Sequence, residues 1–77
     1  MRIYDDDNKK VLTSVLLMLT PTEVNELIAY LRSLSIKNDH VHVDDADYKR
    51  EITIGLYTQE NLHNFNPEVI KLIEEDE

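Results

Sequence analysis

The chain has 77 residues, no cysteine, and sixteen Asp and Glu against eight Lys and Arg, giving a formal charge of -8. A length of this order holds one core, so a single small domain over residues 1–77 is expected, with the acidic tail 74–77 frayed. The lack of cysteine excludes a disulfide scaffold and a thiolate metal cluster, and the acidity argues against nucleic acid, whose phosphates need basic contacts.

Ile3-Tyr4 reads as a short first strand, followed by a polar turn over Asp5–Asn8, where Asp and Asn bond the local backbone. Lys9–Leu19 reads as a long strand. Val11, Thr13, Val15, Leu17 and Leu19 fall on one face and Leu12, Ser14, Leu16 and Met18 on the other. Both faces are apolar from Val15 onward, which suits a strand covered on both sides or one whose second face meets another subunit.

Thr20-Pro21-Thr22-Glu23 is the sharpest local signal. Thr20 is placed to cap a helix, Pro21 has no N–H to lose in its first turn, and Glu23 can reach back to the Thr20 amide. Val24, Leu27, Ile28, Leu31 and Leu34 follow at helical spacing, so the helix is expected over 21–34. His40–Val43 and Glu51–Tyr57 alternate as strands and form a hairpin across a polar loop. Thr58–Asn64 reads as a short turn. Asn66-Pro67 repeats the cap-then-proline start, placing a second helix from Pro67 to about Glu74 with Val69, Ile70 and Ile73 as its stripe.

The expected fold is therefore α+β. It is a small antiparallel sheet of three or four strands with two helices packed on one face, in the order β(β)αββα. The segment order is similar to a ferredoxin-like unit without its last strand, and that order alone implies no function.

The acids are clustered. Asp5–Asp7, the stretch with Asp39, Asp44, Asp45 and Asp47, and the tail from Glu74 carry eleven of the sixteen, and the rest of the chain has a balance of +3. Such patches serve solubility or meet a basic partner. His40 and His42 share one strand face, with Cβ atoms about 6–7 Å apart, and two imidazoles at that spacing can hold a divalent metal if a third ligand converges. Asp44, Glu51 and His63 are the candidates for that third ligand. Neither acidic stretch has the glycine and distal Glu of a calcium loop.

No cysteine nucleophile, phosphate loop or nucleophile elbow is present, so the chain reads as non-catalytic and calls for no cofactor. Leu16, Met18 and Tyr57, on the sheet face away from the helices, are the expected contact residues, with Asp44, Asp45 and Asp47 beside them. The expected function is a small acidic protein-interaction module that self-associates or acts as an inhibitor- or immunity-type partner of a basic protein. The alternative is a divalent-metal-binding protein using His40 and His42. No membrane segment is expected, because the apolar run Val15–Leu19 is far below the roughly 20 residues that span a bilayer. Met1–Asp7 has no apolar core of a signal peptide, so a cytoplasmic location is expected.

Overall fold

The computed structural model describes residues 1–45 and 47–75. Its elements are β1 (Ile3–Asp5), β2 (Lys10–Leu12), α1 (Pro21–Ser33), β3 (His40–Asp44), β4 (Glu51–Gly55), a 3-10 turn at Leu62–Asn64, and α2 (Pro67–Glu75). The class is α+β and the order is the expected one, but the strands form two separate two-stranded antiparallel sheets, β1-β2 and β3-β4, rather than one sheet of three or four. By contacts the chain divides into two compact units. One comprises Met1–Leu17 with the segment from Leu62 onward, and the other comprises Met18–Asn61. Of the tail expected to fray over 74–77, Glu74 and Glu75 instead continue α2, and 76–77 fall outside the described residues.

In the first unit β1 and β2 pair Ile3 with Leu12, Tyr4 with Val11 and Asp5 with Lys10. The turn between them is built on Asp5. Its Oδ1 accepts from the amides of Asp7 and Asn8, both at 3.1 Å, and its Oδ2 accepts from Asn8 Nδ2 at 2.8 Å. Lys9 closes the turn in the left-handed region at φ 58°. This register ends the long strand expected over Lys9–Leu19 at Leu12. Leu12 faces Ile3, the first residue of β1, and no strand among the described residues pairs with the chain beyond it. The chain from Ser14 to Thr20 belongs to no helix or strand.

α2 starts as its sequence requires. Asn66 Oδ1 accepts from the Val69 amide at 2.9 Å, and Pro67 takes the first helical position. Val69, Ile70, Leu72 and Ile73 are half-buried. Arg2 Nη2 donates to the Ile73 carbonyl at 3.4 Å, placing a cation near the helix end that Glu74 and Glu75 disfavour.

In the second unit α1 opens on a complete capping box. The Glu23 amide donates to Thr20 Oγ1 at 3.2 Å, and the Thr20 amide donates to Glu23 Oε1 at 2.9 Å. The helix stops at Ser33, where Leu34 turns extended and Asn38 Nδ2 donates to the Ser33 carbonyl at 2.9 Å. α1 packs on β3. The hairpin pairs His40 with Gly55, Val41 with Ile54, His42 with Thr53, Val43 with Ile52 and Asp44 with Glu51. Val41, at 9% exposure, is the buried apolar residue among those described, while Ile52, Ile54 and Leu56 are half-buried. Asn61 is fully buried and holds the chain after β4. Its Oδ1 accepts from the Thr58 amide at 2.7 Å, and its Nδ2 donates to the Leu56 carbonyl at 2.9 Å.

Candidate interaction site

The most unusual surface lies where the long strand was expected. Val15, Leu16, Leu17, Met18 and Leu19 are all exposed, Leu16 and Met18 each at 81%. Five consecutive large apolar side chains in water, on backbone that belongs to no sheet, are costly in isolation, because burying each would contribute about 1.5–3 kcal/mol. In the second unit the stripe on α1 divides. Leu27 and the capping Leu34 turn inward, whereas Val24, Ile28 and Leu31, spaced at i, i+4 and i+7, stay 41–47% exposed. The surroundings are neutral, since the twelve residues Val11–Thr22 carry no charge in a chain of net -8.

The contact face expected from Leu16, Met18 and Tyr57 is not a sheet face, because none of the three lies in a strand. Leu16 belongs to the first unit, and Met18 and Tyr57 to the second. Each of the three is exposed.

The acidic candidates separate by what their carboxylates already do. Asp45 is committed to its own loop. Its Oδ1 accepts from the Lys49 and Arg50 amides at 2.9 and 3.3 Å, and its Oδ2 from Arg50 Nη1 at 3.0 Å. The Lys49 amide, followed by Arg50, holds the Asp45 carboxyl below its ordinary value. Tyr48 in this loop takes the left-handed conformation at φ 55°. Asp44 lies at the end of β3 opposite Glu51, and Asp47 is exposed on the loop. Asp5 parallels Asp45, its carboxyl held low chiefly by the Asn8 side chain and then by the Asn8 and Asp7 amides.

His40 and His42 do share the exposed face of β3, with ring centres 5.2 Å apart. No group of three or more His, Cys, Asp or Glu among the described residues is arranged to hold a metal. Glu51 Oε1 lies 3.0 Å from His42 Nδ1 as a hydrogen-bond partner. His63 belongs to the other unit.

One cluster was missed from the sequence. Tyr4 Oη donates to Glu68 Oε1 at 2.7 Å, and Lys9 Nζ approaches the same oxygen at 3.3 Å. The shared oxygen raises the Tyr4 and Lys9 values and, through Tyr4 first and Lys9 second, lowers that of Glu68. These residues edge an open cleft of about 500 Å³ that Val11, Pro67, Lys71 and Leu72 also line. Sixty-four positions separate Tyr4 from Glu68, so no local spacing signals the pair.

No helix among the described residues is long and apolar enough to cross a membrane. No family model matches this chain, and no curated protein and no solved structure is similar enough to it to count as a match. The geometry defines a class only, that of a small α+β protein with an unpaired apolar segment.

Proposed function

We propose that this chain is a non-catalytic protein-interaction module that acts by self-association, with the exposed segment Val15–Leu19 as the principal contact. The observation that carries the reading is the exposure of all five residues of that segment. Three arguments support a second copy as the occupant. A chain of this size draws only about 3–5 kcal/mol from its own core, so burial against a partner adds stability it otherwise lacks. Copies of net charge -8 repel wherever their charged surfaces meet, and Val11–Thr22 is a twelve-residue stretch that escapes this. The rival reading, acids offered to a basic partner, is weakened because Asp5 and Asp45 are occupied within their own turns. The proposed setting is the cytoplasm, which fractionation of native cells checks.

Sedimentation equilibrium of the full chain from micromolar to millimolar concentration tests the proposal. A concentration-dependent dimer that tightens with added salt, as screening removes repulsion between acidic bodies, is expected. A strict monomer at the highest concentration refutes it, and association that weakens with salt points instead to contacts between opposite charges.

A further inference from the structure

We propose that His40 and His42 form a two-imidazole site for a divalent transition-metal ion, bound through both Nε2 atoms with water filling the remaining positions. The site begins with the sequence His-Val-His in β3. Alternation turns Val41 inward and both rings outward, and the antiparallel partner fixes the strand on which they stand. The residues facing them are small. Gly55 lies opposite His40 and Thr53 opposite His42, which leaves the outer side of both rings open.

The second observation is what each ring does with its other nitrogen. His40 Nδ1 lies 2.9 Å from Asp39 Oδ1. His42 Nδ1 lies 3.0 Å from Glu51 Oε1 and 2.9 Å from Thr53 Oγ1, and the Thr53 hydroxyl itself donates to Glu51 Oε1 at 3.3 Å. An ionised carboxylate only accepts, so each Nδ1 carries the hydrogen in these bonds, and a ring in its neutral form then keeps its lone pair on Nε2. Metal-binding histidines are held in this way, with the far N–H on a carboxylate that orients the ring and makes the ligating nitrogen more basic. Here both rings are so held before any ion arrives.

The spacing agrees. A tetrahedral ion about 2.0–2.1 Å from two imidazole nitrogens sets the ring centres on the order of 5 Å apart. Those of His40 and His42 are 5.2 Å apart. With no third protein ligand grouped beside them among the described residues, the site is open and weaker than a closed four-ligand site. Two neutral imidazoles select nickel, copper or zinc over magnesium and calcium, which prefer oxygen.

Nickel and zinc titrations of the full chain, followed by calorimetry and by imidazole nitrogen NMR with zinc, test the site. One ion per chain is expected, with zinc moving the Nε2 signals of His40 and His42 and leaving His63 in place. His40→Gln and His42→Gln should each weaken binding at least tenfold, His63→Gln should leave it unchanged, and magnesium should give no response. Circular dichroism confirms that the variants keep their fold, and the wild-type nitrogen signals decide the matter if one does not. No saturable binding, a response at His63 alone, or a change under threefold in both His40→Gln and His42→Gln overturns the proposal. None of these readouts depends on self-association.

Discussion

Replacing Leu16 with Ser gives the most direct test of the contact segment. The side chain is 81% exposed in the single chain, so nearly all of its area is available to a partner. Complete burial of such a side chain contributes about 1.5–3 kcal/mol, and scaling by the exposed share leaves at least about 1.2 kcal/mol. In a two-fold dimer the substitution enters twice, for about 2.4 kcal/mol, which raises the dissociation constant roughly fifty-fold. Adding Met18→Ser, equally exposed, carries the loss to about 5 kcal/mol and three to four decades in affinity. The monomer should keep its stability within about 0.5 kcal/mol, because neither side chain is packed within it. Sedimentation equilibrium reads the first effect and urea unfolding at dilute concentration reads the second. Tyr48→Ser is the control, since Tyr48 is 83% exposed but lies outside the segment and should leave association unchanged. If Leu16→Ser shifts the dissociation constant less than threefold, or if Tyr48→Ser shifts it as much, Val15–Leu19 is not the interface.

Three further outcomes follow from the internal contacts. Asn61→Ala removes two bonds to part-buried backbone groups of Thr58 and Leu56, and should destabilise the chain by roughly 2–4 kcal/mol in urea unfolding; a loss under about 1 kcal/mol contradicts the role given to Asn61. Thr20→Ala opens the capping box and should lower stability by about 1 kcal/mol, Thr20→Ser recovering most of it; equal thermal midpoints for wild type and Thr20→Ala refute this. The Asp45 carboxyl is held below its ordinary value, so the folded chain binds its proton less tightly than the unfolded chain does. Its stabilising effect is therefore complete above about pH 4 and fades as pH falls through the lowered folded value. The stability gap between wild type and Asp45→Asn should shrink from pH 6 to pH 2.5, and a gap that is constant or widens contradicts the assignment.

What could be read from the sequence was the chemistry that acts over three or four residues. Thr20 with Glu23, and Asn66 with Pro67, specify their helix starts within one turn, and both helices begin where those residues stand. The alternation from His40 and from Glu51 carried the second hairpin, because a covered face at Val41, Ile52 and Ile54 imposes period two. The long strand over Lys9–Leu19 failed for a non-local reason. Alternation shows that a segment is able to pair, but the length of a strand is set by its partner, and the pairing with β1 ends at Ile3 with Leu12. The same limit hid the Tyr4–Glu68–Lys9 cluster. Asp45 was legible in principle, since an Asp before a polar turn often bonds the backbone ahead of it, as was expected for the Asp5–Asn8 turn.

These details change the part played by the acidity. Asp5 and Asp45 organise the two hairpin turns, one in each unit, and Asp39 and Glu51 hold the rings of His40 and His42. Their attraction for cations is therefore spent on nearby N–H groups, while their contribution to the net charge persists at long range. Charge of one sign with its short-range bonding already satisfied repels a like body without offering it contacts. For two copies of this chain the approach of lowest energy then runs through uncharged surface, and Val11–Thr22, with its six exposed large apolar residues, supplies such a surface. In the proposed dimer the acids select the contact by closing the alternatives, and the hydrophobic segment supplies its free energy.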